Sequence, residues 1–266
     1  MSQRIYQVDA FTDTVFGGNP AAVMPLDTWL PDKVLQDLAA ENNLAETAFF
    51  VPEGQGGYRL RWFTPTTEVD LCGHATLASA FVIMTILRPG MERVEFVTQV
   101  TGTLGVTKSG DLFTLDFPSR PAEPAPSDFD PTKADIVAAL GGIQPADILI
   151  ARDYMVVYDD AASVANLKPD FAALGRLDRA VLVTAPGSDV DFVSRFFAPG
   201  HGIPEDPVTG STHCTLTPYW AERLDKTELS ACQLSARGGQ LKLRLAGDRV
   251  LISGNAVLYL EGSVYL

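Results

Sequence analysis

"RWFTPTTEVDLCGHATLASAFVIM", Arg61 to Met84, has a partner further along the chain in "RFFAPGHGIPEDPVTGSTHCTLTPYWAERL", Arg195 to Leu224. Each stretch opens on a strand-like run beginning at an arginine and ending at a proline. Each then crosses an acidic segment and reaches a glycine, Gly73 or Gly210, where an apolar helical segment starts. The arginines lie 134 residues apart and the glycines 137, so the second copy carries a three-residue insertion. In a chain of 266 residues this is a two-fold repeat. A repeat that long predicts two similar domains; solenoid units are far shorter.

The segments around these motifs recur in the same order. In the first half "RIYQVDAF", "GGNPAAVMPL", "ETAFFVPE" and "YRLRWFTP" read as strands. "LPDKVLQDLAAENNL" has helical spacing, with Leu30, Val34, Leu35 and Leu38 on one side, and "DLCGHATLASAFVIMTIL" reads as a buried helix. "SRPAEPAPSDFDPT" is the best linker candidate. Beyond it "DILIARDYMVVYDD", helical "SVANLKPDFAAL", and strand-like "RAVLVTAP" and "DFVSRFFAP" lead to the second helix, followed by "CQLSARGGQLKLRL", "RVLISG" and "NAVLYLEG". The expectation is an α+β fold of two pseudo-symmetric domains, residues 1–118 and 131–266, joined by a linker at 119–130.

Composition excludes several partners. A net charge of −13 argues against nucleic acid and against an anionic membrane surface, because phosphate neutralisation needs clustered Lys and Arg. A small anionic substrate stays compatible, since a local site can be positive on a negative protein. The three cysteines, Cys72, Cys214 and Cys232, are an odd number without a C-x-x-C pair, which fits a reducing compartment. The opening "MSQRIYQVDAF" alternates like a strand and lacks a signal-peptide core, and the longest apolar run, Leu77 to Leu87, is too short to span a bilayer. A cytoplasmic, soluble protein is expected.

The first turn of a helix carries unpaired backbone N–H groups and the positive end of the dipole, and a glycine there allows close approach. Gly73-His74-Ala75-Thr76 and Gly210-Ser211-Thr212 have this character. If the domains pack about a pseudo-twofold axis, both starts can face one cleft and hold a small carboxylate, with His74, Thr76 and Ser211 adding polar side chains. The structural alternative is that each glycine only lets the chain turn into a core helix, with Ser or Thr as cap. Of the three histidines, His74 stands at a helix start, His213 reads as packing, and His201 lies in a Gly-Pro loop. No histidine–carboxylate pattern has metal-ligand spacing, so no metal is expected. Glu46 begins the apolar strand "TAFFV" and can act as general acid or base if half-buried, although a solvated strand end would look the same. Asp206 precedes the second helix in "EDP", where turn chemistry is the plainer account. Cys72 precedes Gly73, whereas Thr209 precedes Gly210, so a symmetric two-thiol mechanism is not available.

"GGNPAAV", "NNLAETAFF", "FTPTTEVDLCGHATLASA", "EDPVTGSTHCTLTPYWAERL" and "QLSARGGQLKLRL…GNAV" resemble the phenazine-biosynthesis isomerase family, the PhzF-like proteins, over nearly the whole chain. The resemblance implies the diaminopimelate-epimerase-like fold: two similar α+β domains, each a curved, mostly antiparallel sheet or barrel wrapped round a central helix. It implies that the final strand can cross back to complete the first domain. It also implies a cofactor-free isomerase, commonly a homodimer, in which one glutamate moves a proton between two carbons of a cyclic amino acid related to anthranilate. That glutamate matches Glu46. Gly73 and His74 match the first helix start, Asp206, Gly210 and Ser211 the second, and Asn19 of "GNP" a position near the cleft. The phenazine enzymes have a small apolar residue where this chain has Cys72. By this resemblance Glu46, His74 and Asp206 are expected to be catalytic, and Asn19, Gly73, Ala75, Thr76, Gly210 and Ser211 to bind substrate. Two alternatives stay open: a racemase or epimerase using Cys72 against Glu46, and a non-catalytic protein that binds a carboxylate or a partner.

Overall fold

A computed structural model describes residues 2–54, 56–126 and 132–266. Two compact units are present, one formed by Met1–Phe117 with Leu251–Leu266, the other by Pro118–Val250. Of the expected linker, residues 127–130 lie outside the described residues, as does residue 131, where the second domain was expected to begin. The described part of that segment is bonded into the second unit. The Ser119 and Arg120 amides donate to the carbonyls of Asp248 and Cys214, and Glu123–Pro124 pairs with Leu149 and Ile150.

In the first unit, Ser2–Ala10 pairs antiparallel with Asn19–Pro25 on one side and with the C-terminal strand Ala256–Tyr265 on the other. Asn19–Pro25 runs parallel to Glu46–Glu53, which is antiparallel to Gly57–Phe63. Gly57–Phe63 is in turn parallel to Arg93–Val97, and Thr103–Ser109 and Leu112–Pro118 continue as antiparallel partners. The helix Gly73–Phe81 is buried at every residue from Gly73 to Ala80. Apart from His74 its residues are small or apolar on all faces, which suits a helix enclosed by its own sheet and not one with a wet side. The two hydroxyls in it turn back on the helix, Thr76 Oγ1 to the Cys72 carbonyl at 2.5 Å and Ser79 Oγ to the Ala75 carbonyl at 2.7 Å. The helix continues into the wider π-helical turn Val82–Leu87.

The second unit repeats the pairing pattern. Tyr154–Val157 runs parallel to Val181–Pro186, Val181–Pro186 antiparallel to Phe192–Ala198, and Phe192–Ala198 parallel to Glu228–Gln233. Asp147–Ile150 and Gly239–Ala246 add antiparallel neighbours. The register repeats too. Arg61 stands opposite Phe49, which stands opposite Met24; Arg195 stands opposite Val183, which stands opposite Val156.

The two arginines that open the repeated motif do the same work. Arg61 bonds both oxygens of Glu68 at 2.7 Å, adds Asp32 at 2.8 Å, and lies 5.1 Å from the centre of the Phe63 ring. Arg195 bonds both oxygens of Glu205 at 2.8 and 3.0 Å, adds the carbonyls of Val164 and Leu167, and lies 4.9 Å from the centre of the Phe197 ring. A planar fork met by a carboxylate and stacked on an aromatic face is a pairing that lysine cannot reproduce. The Arg61 side chain is 9% exposed and that of Glu68 34%, so removing the arginine leaves a half-buried carboxylate that water still reaches in part. Arg61→Leu is therefore expected to lower unfolding free energy by about 2–4 kcal/mol in urea titrations, the lower part of that range reflecting Glu68's access to water. A loss below about 1 kcal/mol would show the pair to be ornamental.

Candidate active site

In the first unit three separate segments bring their chemistry to one place. The strands Asn19–Pro25 and Glu46–Glu53 are parallel, with Ala21 opposite Glu46, so Asn19 and Glu46 sit at the same end of the sheet. Two turns deliver them. Gly18 has φ +59°, and a Cβ there would stand 2.1 Å from the Ala10 carbonyl oxygen, so only glycine lets the chain fold back into Asn19. Asn43 adopts φ +49° at the end of the helix Asp32–Asn42, and the Asn42 side chain bonds Thr47 Oγ1 at 3.1 Å, which sets the entry to Glu46. The helix Gly73–Phe81 packs against both strands and supplies His74 and, at its N-cap, Cys72.

His74 is buried and links the others. Its Nδ1 lies 3.1 Å from Asn19 Nδ2 and 3.5 Å from Cys72 Sγ, while its Nε2 lies 3.2 Å from Glu46 Oε2. That last approach is within charge-pairing range but off the hydrogen-bond axis, and neither Nε2 nor Oε2 has a directed hydrogen-bond partner among the described residues. The Glu46 side chain retains 12% of its exposure. Burial disfavours the imidazolium, yet Cys72 and Glu46 outweigh it and hold His74 well above the usual imidazole range. Burial, reinforced by Glu46, pushes the Cys72 thiol up to about 11.

Glu46, Cys72 and His74 each offer a ligand atom within 4.8 Å of the others, a grouping that sequence spacing did not reveal. A thiol, an imidazole and a carboxylate would suit zinc chemically. Here the thiol lies 3.5 Å from Nδ1 and the carboxylate 3.2 Å from Nε2, so the two approach different nitrogens of one ring while staying within 4.8 Å of each other. Of the other predicted binding residues, Gly73 and Ala75 are buried in the first turn, and the Thr76 hydroxyl closes that turn on Cys72.

The second unit holds its own set. Asp206, 6% exposed, ends the strand Ile203–Asp206, and the Thr209 hydroxyl donates to its Oδ2 at 2.5 Å. Gly210–Thr212 forms a 3-10 turn leading into the helix His213–Leu224. Ser211 Oγ accepts from Arg152 Nη2 at 3.2 Å, and Arg152 also bonds Asp153. Two residues not singled out by sequence enter here. Arg152 sits in "ARDYMVV", which shows only a strand. Gln233, fully buried, bonds both Thr209 and Asp206 from the end of Glu228–Gln233. His213 is the packing residue its position suggested: its Nδ1 donates to the Thr209 carbonyl at 2.9 Å and its ring lies 5.9 Å from Phe192. His201 is exposed.

Residues 8–262 match the family model described as phenazine biosynthesis-like protein. The chain belongs to that family. An isomerase of Pseudomonas aeruginosa, described as uncharacterized, is 52% identical over the whole of both chains. The crystal structure of a phenazine biosynthesis protein of the PhzF family from Enterococcus faecalis superposes with a TM-score of 0.94 at 49% identity, covering 100% of each chain. A hydroxyproline epimerase from Agrobacterium vitis, covering 99% of this chain and 92% of its own, shares the fold alone, with a TM-score of 0.61 at 10% identity. This PhzF-family chain is thus an α+β isomerase, like its close relatives. No helix among its described residues is long and apolar enough to cross a membrane.

Burial pushes His213 down to about 4, so the native state resists the proton that the unfolded chain accepts near 6.5. The unfolded state then binds more protons below pH 6.5, and this contribution is present above that pH and lost on acidification toward 4. His213→Gln is expected to reduce the stability lost between pH 6.5 and 4.5 by about 2 kcal/mol, read from denaturant titrations at both pH values. An unchanged pH dependence would contradict a neutral buried ring.

Proposed function

We propose that this isomerase is cofactor-independent and moves a proton between carbons of a small cyclic amino or hydroxy carboxylic acid, with Glu46 as the single acid/base. The observation that carries it is the pair of nearly buried, undirected polar atoms, Glu46 Oε2 and His74 Nε2, 3.2 Å apart. Buried polar atoms without directed partners are rare and suit a ligand. The Glu46 carboxylate takes the proton from a carbon next to a C=C bond conjugated with the substrate carboxylate, and the electron pair of the broken C–H bond delocalises through that system. Glu46 then returns the proton to the far carbon of the C=C bond on the same face, so the double bond shifts by one position. The His74 imidazolium would stabilise the charge that develops between the two steps. Asp206 is proposed as a further catalytic group. Asn19, Gly73, Ala75, Thr76, Gly210 and Ser211 are proposed as substrate contacts, with Arg152 adding positive charge beside Ser211.

The racemase alternative needs Cys72 as a thiolate base opposed to Glu46. Cys72 is instead buried, lies 3.5 Å from His74 Nδ1 and within 4.8 Å of Glu46, and is held as the thiol. By family resemblance we also propose a homodimer acting in the cytoplasm, which light scattering and cell fractionation would check.

The test follows proton signals of cyclic and linear amino and hydroxy acids, dihydro-hydroxyanthranilate included, in deuterated water. Glu46→Gln is expected to slow exchange or isomerisation by about 100-fold or more, while Cys72→Ala keeps most of the rate. Loss on Cys72→Ala would favour the two-base mechanism, and ligand binding without exchange in the wild type would favour a binding protein. Because the His74 imidazolium persists above the usual range, kcat/KM is expected to fall on the alkaline side with an apparent pKa above 6.5. His74→Gln should abolish that limb; a limb unchanged in this variant would remove His74 from the mechanism.

A further inference from the structure

Gln233 ends the strand Glu228–Gln233 with no exposed surface, and its amide leaves no doubt about which end is which. Oε1 faces the backbone N–H of Thr209 at 2.9 Å, a group that can only donate. Nε2 therefore points the other way, to the Asp206 carbonyl at 2.7 Å and to Thr209 Oγ1 at 3.3 Å. The Thr209 hydroxyl, approached by an N–H donor, has its single proton directed to Asp206 Oδ2. The bonds thus run one way, from amide to hydroxyl to carboxylate.

The first unit has no such clamp at the matching place among the described residues. Register equates Gln233, opposite Ser194, with Thr98, the residue after the strand Arg93–Val97. Thr98 bonds its own turn, Oγ1 to the Gly102 carbonyl at 2.8 Å and from the Thr101 amide at 3.1 Å. The amide clamp accompanies the helix start that carries Thr209, and the start that carries Cys72 lacks it. A device needed merely to fold the repeated scaffold would be expected in both copies.

We infer that Gln233 is a positioning residue of the isomerase, setting the direction of the Thr209 hydroxyl and through it the orientation of the Asp206 carboxylate. This rests on the proposal that Asp206 belongs to the reacting site. Gln233 acts through Thr209 and not on the reacting atoms. Gln233→Glu is the sharpest probe, because a carboxylate fills the same space and still accepts from the Thr209 amide. It cannot donate to the hydroxyl or to the Asp206 carbonyl, and it competes with Asp206 for the hydroxyl proton.

The experiment measures turnover and KM, for whichever acid exchanges best, in four proteins: wild type, Gln233→Glu, Asp206→Asn and the double variant. Gln233→Glu is expected to turn over at least 10-fold more slowly than wild type, with KM changed less than 3-fold. In the Asp206→Asn background the same substitution is expected to slow turnover less than 2-fold. Coupling of that kind is what contact through a shared network produces. If Gln233→Glu does not fold, Thr209→Val and Thr209→Ser replace it, and recovery of rate by Ser relative to Val supports the same chain of bonds. Independent, multiplying effects of Gln233 and Asp206 would overturn the inference while leaving the site intact, as would equal rates for the two Thr209 variants. No effect of Asp206→Asn, or no exchange with any acid, would overturn the placement of Asp206 and the role of Gln233 together.

Discussion

Each unit depends on an arginine reaching out of a central strand to a glutamate on the segment that leads into the core helix. The strand fixes the arginine opposite Phe49 or Val183, and the bidentate bond fixes the acidic segment against the strand. The helix start that follows has little freedom left. A modest swing of the acidic segment would move a side chain at the helix start by roughly an ångström or more, a displacement to which catalytic sites in general are sensitive. The aromatic two residues after each arginine covers the guanidinium face, so the charge is satisfied at its edge by oxygen and on its plane by a ring.

On that common frame the two units carry different chemistry. One helix start presents an imidazole flanked by a thiol, an amide and a carboxylate; the other presents a serine beside a guanidinium and an aspartate held by a threonine. Duplication supplies rigid positions, and the residues placed on them need not agree. The thiol is the instructive case. In sequence it is the most reactive-looking group of the first motif, yet burial keeps it protonated beside the Glu46–His74 pair.

What was legible in the sequence was whatever leaves a local trace. Arg61 and Arg195, Gly73 and Gly210 stand at nearly constant offsets, so the doubling of the fold could be read directly. A run such as "GHATLASA" has no polar face, and the helix it forms has none exposed. Glu46 could be suspected because an acid at the start of "TAFFV" is out of keeping with its surroundings. Gln233, Arg152 and the Asn19–His74 contact left no such trace, since they arise from parallel pairings and crossings between distant segments. "SRPAEPAP" shows the opposite difficulty: its proline content reads as a linker, while its described backbone is tied to Asp248, Cys214 and Leu149–Ile150.

The strand Ala256–Tyr265 lies along Ser2–Ala10 for its whole length. A ribosome therefore releases the two units in an order opposite to the one their numbering suggests. Every residue of the second unit has been made by Val250, whereas the first unit lacks part of its sheet until the strand Ala256–Tyr265 emerges. Through most of synthesis Ser2–Ala10 keeps one side unpaired, an edge open to other chains. Nascent chains are exposed to mispairing on the half that was translated first.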